Sequence, residues 1–183
     1  MVDISSLNKD IESFLSQIDK LPPIPKANKA THESGSFQAP IKGGFRNSGD
    51  YSPNRATDAR HPTGHQGVDL RAPGGTSIYP LAPGVVTNVA NNSVGGLNLN
   101  IDHRNGVRSY YAHLASINVK KGDEVDFDTV IGTVGDSGNA KGTAPHLHFQ
   151  VWKNNVLDNP ANYFAIPKYT NLEKGEKLWL TNK

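Results

Sequence analysis

Two short segments carry most of the chemistry available to this 183-residue chain, His65-Gln-Gly-Val-Asp69 and Pro145-His-Leu-His-Phe-Gln-Val-Trp152. In the second, polar and apolar residues alternate. That predicts a strand with Leu147, Phe149 and Val151 toward a core and His146, His148, Gln150 and Trp152 on the opposite surface. Two imidazoles at successive same-face positions are costly to keep dry without a partner, and easily kept around a shared cation. His65 and Asp69 are four apart. Between Pro62-Thr-Gly64 and Ala72-Pro-Gly-Gly75 a helix has no room, so an extended segment is expected. Gly67 then shares their face and offers no side chain to block a metal. His65, Asp69 and one of His146 or His148 would supply two imidazoles and a carboxylate, leaving a fourth position for water, as in hydrolytic zinc. Water bound there can reach a pKa of about 7. The histidine of the pair left over can handle a proton or hold an oxyanion. His113, ending the expected strand Val107–His113, adds a further imidazole. No Glu stands in a helical HExxH pattern, so the proton work falls to histidine.

The remaining candidates have plainer readings. His32 lies in a polar linker and is expected to be solvated. His61, before Pro62, reads as a loop residue. His103 precedes the Arg104-Asn-Gly106 turn, where a hairpin-end hydrogen bond accounts for it, and Asp136, between Gly135 and Ser137, reads as a turn residue.

These side chains need a scaffold, and the pattern supplies a β one. Candidate strands are Ser77–Leu81, Gly84–Ala90, Leu97–His103, Val107–His113, Val130–Val134 and His146–Trp152, with Asn105-Gly106 marking a hairpin. They form an antiparallel β domain over residues 39–167. Ahead of it, Ile4, Leu7, Ile11, Phe14, Leu15 and Ile18 recur at three and four residues, predicting one amphipathic helix stopped by Leu21-Pro-Pro-Ile-Pro25. With the linker that follows, this makes an N-terminal segment of residues 1–38. Residues 168–183 form a C-terminal extension.

Composition narrows the partners. A formal net charge of +2 is too mild for a nucleic-acid footprint, though compatible with an anionic polymer. Cysteine is absent, which excludes disulfides and thiolate zinc sites. No apolar run approaches the roughly 18 residues of a membrane span, and Met1-Val-Asp-Ile-Ser-Ser has no basic region followed by an apolar core. A soluble protein, with a monomer favoured, is expected.

Beyond these local patterns, a longer series of motifs resembles one known family. HQGVDLRAPGGTSIYPLAPGVV (65–86), YYAHL (110–114), VKKGDEV (119–125), IGTVGDSGNAKGTAPHLHF (131–149) and the later Asn159-Pro160 and Tyr163-Phe164 are similar to the lysostaphin-like, or LytM-type, zinc endopeptidases that cut peptidoglycan peptides. The resemblance spans about Pro40 to Phe164. It implies a twisted antiparallel sheet with a narrow groove closed by loops over a metal. It implies Zn2+ as the cofactor, with His65, Asp69 and His148 as its ligands, and His113 and His146 as the catalytic pair. The implied reaction is hydrolysis of an amide bond in a cross-link or stem peptide. In two places the chain departs from the family, with Gln150 where Glu is usual and Ala144 where Gly is usual. Neither touches the implied ligands, but the hydrogen bonding behind them is affected.

Two other functions compete with this reading. Relatives of the fold that have lost ligands act as silent binding or activator modules, whereas all five site positions are present here. The Val119-Lys-Lys-Gly-Asp-Glu-Val125 pattern also occurs in lipoyl and biotinyl carrier domains. Their modified Lys usually lies beside Met, and the only Met in this chain is Met1. The substrate would lie outside the cytoplasm, and with no export signal visible three explanations stand: a phage-borne, virion-associated or lysis-released enzyme, which is favoured, a signal that has been removed, or export by a non-standard route.

Overall fold

A computed structural model describes residues 36–54 and 64–167. The helix expected over 4–20, His32, His61 and the extension from 168 onward lie outside the described residues. Ten strands follow one another: β1 (Arg46–Gly49), β2 (Val68–Arg71), β3 (Ser77–Ile78), β4 (Gly84–Asn92), β5 (Gly96–Asp102), β6 (Val107–Ile117), β7 (Glu124–Val125), β8 (Gly132–Val134), β9 (His146–Lys153) and β10 (Val156–Asp158). Every pairing is antiparallel, and the sheet runs β1-β2-β9-β6-β5-β4-β7. β10 folds back on β9, while β8 attaches to the far half of β6 and β3 to β8. Among the described residues the only helices are two three-residue 3-10 turns, Gly138–Ala140 and Pro160–Asn162. The mainly β expectation therefore holds, with each expected strand present, β2 continuing the segment expected to be extended through Asp69, and β1, β7 and β10 added.

Alternation in β9 explains how the sheet separates core from groove. Leu147, Phe149 and Val151 are wholly buried, and they join Leu70, Leu99, Ile101, Tyr111 and Leu114 in one hydrophobic cluster. Phe149 sits at its centre, edge-on to Tyr111 and Phe164 with ring centroids 5.2 and 5.7 Å apart. Truncating such an aromatic to alanine costs about 3–5 kcal/mol. The opposite face of β9 carries His146, His148 and Gln150 into a groove. Strand register does the rest: Asp69 of β2 stands directly across from His148, and Ala112 of β6 flanks His148 on its other side.

His103 closes the β5–β6 hairpin from within, as expected. Its Nε2 lies 2.6 Å from Ser109 Oγ, which donates to the Tyr111 hydroxyl, and that hydroxyl accepts from the Leu81 amide at 2.7 Å. Burial pushes the His103 imidazole down from 6.5 to about 4, against the opposing pull of nearby carbonyls and Asp102. The unfolded chain therefore takes up this proton first. The contribution of His103 to stability is complete above pH 6.5 and is lost as pH falls toward 4, by up to about 1.4 kcal/mol per pH unit. Urea unfolding at pH 7 and pH 4.5 checks this. In His103→Gln the drop in stability between the two should be smaller than in the parent by about 2 kcal/mol. An identical drop would show that His103 does not carry the acid sensitivity.

Candidate metal centre

Three side chains meet at the bottom of the groove. His65 Nε2 lies 3.1 Å from Asp69 Oδ1 and 3.1 Å from His148 Nδ1, and His148 Nδ1 lies 2.8 Å from the same Asp69 oxygen. Among the described residues this is the one group of His and carboxylate side chains whose ligand atoms converge within 4.8 Å. Burial alone would raise the Asp69 carboxyl. Hydrogen bonding and charge from His148 and His65 outweigh it, holding the group well below the usual carboxylate range. His148 is pushed below its ordinary value, first by its own burial and then by the neighbouring imidazoles, with Asp69 opposing.

The outer nitrogens of the two imidazoles decide what the inner ones can do. His65 Nδ1 lies 2.9 Å from the Asp50 carbonyl oxygen, which can only accept, so Nδ1 carries the proton and Nε2 presents a lone pair. His148 Nε2 lies 2.8 Å from the Gln150 side-chain amide nitrogen, so Gln150 touches this side chain directly, contrary to the expectation from the sequence. When that amide turns its oxygen to Nε2–H, Nδ1 presents a lone pair too. In that orientation two imidazole lone pairs and a carboxylate oxygen within 3.1 Å of one another repel unless a cation lies among them. The edge of a tetrahedron of zinc ligands is about 3.3 Å for bonds of about 2.0–2.1 Å. The donor set and its spacing fit zinc.

His113 and His146 face the same groove with ring centroids 5.0 Å apart. His146 Nδ1 is held by the Ala144 carbonyl at 2.9 Å and His113 Nδ1 by the Ser137 carbonyl at 2.9 Å. Each backbone carbonyl fixes the proton on Nδ1 and leaves Nε2 as an acceptor. Burial, followed by the charges of His146 and His148, lowers the His113 imidazole to about 4, so it stands neutral at neutral pH.

The position of His113 departs from simple alternation. In β6, Val107, Ser109 and Tyr111 point into the core, and a regular strand would send residue 113 after them. Leu97 instead pairs with Leu114 and Leu99 with Tyr111, so Ala112 and His113 together stand opposite Asn98 alone. This bulge passes the core position to Leu114 and frees His113 for the groove. His113 adopts φ 63° there, a left-handed conformation costing about 1–3 kcal/mol in a residue other than glycine.

Two glycines make room for the centre. A Cβ on Gly49, across from Asp69 in β1, would fall 2.7 Å from Asp69 Oδ2 and 3.1 Å from His65 Cε1. One on Gly67 would meet the Phe149 carbonyl at 2.4 Å, Gln150 Cγ at 2.9 Å and His148 Cε1 at 3.0 Å. Gly67 therefore clears space for the His148 ring and its Gln150 support, a different role from the open metal approach expected of it. Gly49 lies in a segment without a distinctive pattern, and only the β1–β2 register reveals its part. Asp136 accepts from the Gly142 amide at 3.2 Å, in keeping with its expected turn role.

The family model for peptidase family M23 matches residues 63–160, over half of the chain. The chain belongs to that family. It is 34% identical over 140 residues to the peptidoglycan DD-endopeptidase ShyA of Vibrio cholerae, covering 75% of this chain and 31% of that protein. Among solved structures it is similar to a zinc-containing peptidase from Vibrio cholerae, with a TM-score of 0.64 at 29% identity, covering 74% of this chain and 41% of that one. It is also similar to the catalytic domain of lysostaphin from Staphylococcus simulans, with a TM-score of 0.58 at 29% identity, covering 65% and 91%. The chain thus spans about a third of the length of the curated relatives it matches.

Gly49→Ala tests whether β1 helps to shape the donor set. Zinc affinity, measured by competition with a chelating dye, should fall at least tenfold while the circular dichroism spectrum is kept. Unchanged affinity would show that Asp69 and His65 tolerate the added methyl group.

Proposed function

We propose that the protein is a zinc-dependent endopeptidase that hydrolyses amide bonds in peptidoglycan stem or cross-link peptides, outside the cytoplasm. The observation that carries this reading is the convergence of five side chains on one groove, three as a compact donor set and two as imidazoles anchored through Nδ1 beside it. In this reading His65, Asp69 and His148 hold the metal. Zinc, when bound, supplies a Lewis acid and a water of lowered pKa. One of the two Nε2 atoms, of His146 or of His113, would accept the proton released as water adds to the amide carbonyl, and that imidazolium would return it to the leaving amine. While protonated, that ring also donates a hydrogen bond to the developing oxyanion. The family membership and the likeness to peptidoglycan and zinc peptidases support the substrate class. A silent binding module would need none of this precision, and the complete set of five favours turnover.

Substitutions at the two kinds of position should separate these roles. His148→Ala is expected to lose both bound zinc and activity. His113→Asn, chosen because asparagine tolerates the positive φ, is expected to keep one zinc per chain and lose at least a hundredfold in kcat, the scale of general acid–base catalysis. Metal content by mass spectrometry, together with digestion of purified cell walls from Gram-negative and Gram-positive species, reads both. Loss of zinc from His113→Asn would overturn the assignment of ligands, and intact walls after treatment with the zinc-loaded parent would overturn the function.

A further inference from the structure

The groove face of β1 and β2 carries an arrangement that the metal centre does not use. Arg46 and Arg71 stand directly opposite each other in the β1–β2 pairing, and Arg71 stands directly opposite His146 in the β2–β9 pairing. By alternation with Leu70, which is buried in the core, Arg71 lies on the same face as Asp69. Like charges directly across a strand pair are destabilising. Both side chains are half-buried, and a guanidinium nitrogen of each, Arg46 Nη1 and Arg71 Nε, is shielded from solvent with no hydrogen-bond partner.

The other two described arginines each have a partner, although Arg108 Nε is likewise shielded without a hydrogen bond. Arg104 pairs with Glu124 at 3.6 Å, and Arg108 lies over the Trp152 ring. Among the described residues no carboxylate pairs with Arg46 or Arg71, although Asp69 is only two residues along β2 from Arg71. That carboxylate is turned to His65 and His148 instead. Two adjacent guanidiniums that no carboxylate of the described residues neutralises match, in their planar fork, the bidentate geometry of a carboxylate.

We infer that Arg46 and Arg71 form a carboxylate-binding subsite at the His146 end of the groove, which selects peptide substrates bearing a free carboxylate close to the scissile amide. The inference rests on the proposed peptidase function and adds a determinant of substrate choice. Two residues of strand separate Arg71 from Asp69, roughly 7 Å, or about two residues of an extended peptide. A cross-link made directly to a diamino-dicarboxylic acid carries a carboxylate on the carbon next to the linking nitrogen. A glycine bridge carries none within that distance unless its chain ends there. The subsite therefore favours direct cross-links, and the same chemistry could also read a C-terminal carboxylate.

The test uses a cross-linked stem-peptide dimer joined from D-alanine to a diamino-dicarboxylic acid, in three forms. One has all carboxylates free, one is amidated beside the link, and one is amidated at the C-terminus. KM and kcat are measured for the zinc-loaded parent, Arg71→Gln, Arg46→Gln and Arg71→Lys, with zinc content and circular dichroism followed for each. The parent should show a KM at least tenfold higher for one amidated form, and that form identifies the carboxylate. The Gln variants should raise KM for the free peptide toward the amidated value, with the smaller change in kcat, and Arg71→Lys should recover part of the preference. Equal KM for all three forms in the parent, or Gln variants that weaken every form alike, would overturn the subsite.

Calorimetric binding of the amine-side product, free and amidated, separates this inference from the function beneath it. Preference for the free product without cleavage of any dimer would retain the subsite and reject the peptidase reading. Neither preference nor cleavage would reject both.

Discussion

The structure turns on electrostatic crowding at one point. Asp69 and His148 face each other across β2 and β9, and His65 is brought to them by a bridge to Ser52 and by its hydrogen bond to the Asp50 carbonyl. With that carbonyl fixing the His65 proton on the outer nitrogen, the inner one can only present a lone pair to its neighbours. A cation relieves the repulsion once the Gln150 amide turns its oxygen to His148 Nε2–H and so frees the Nδ1 lone pair. The surroundings serve this crowding: Phe149 anchors β9 in the core, Gly49 and Gly67 keep space beside the ligands, and Gln150 braces the far side of His148.

A second constraint places His113 beside His146. Metal ligands can come from straight strands because alternate residues share a face, but a third strand adjoining them must also deliver a histidine beside His146. β6 does so by a bulge, at the cost of one residue in a left-handed conformation. The loop at Ser137 receives the displaced ring, through its carbonyl to His113 Nδ1 and its hydroxyl to the Leu114 carbonyl at 2.7 Å. Local strain here is a condition of the geometry, sustained by the well-packed core on either side.

Much of this was legible in the sequence, for identifiable reasons. The alternation of β9 assigned its two faces directly, and residue types at fixed spacing pointed to a metal bound without cysteine. Neither pattern could choose between His146 and His148; the choice depends on register with β2, a long-range property. The bulge at His113 left no mark in hydrophobic periodicity, since Tyr111 and His113 have the spacing of an ordinary strand. β1 went unseen because Arg46-Asn-Ser-Gly49 has neither alternation nor β-branched residues, and its importance lies in what it abuts. The Arg46–Arg71 pairing escaped for the same reason.

The central claim concerns which atoms grip the cation, and crystals of the zinc-loaded protein measured at the zinc absorption edge address it directly. One anomalous peak is expected, bonded at about 2.0–2.1 Å to His65 Nε2, Asp69 Oδ1 and His148 Nδ1, with His113 and His146 beyond bonding distance. A peak ligated by His113 or His146, or none among the three donors, would contradict the account.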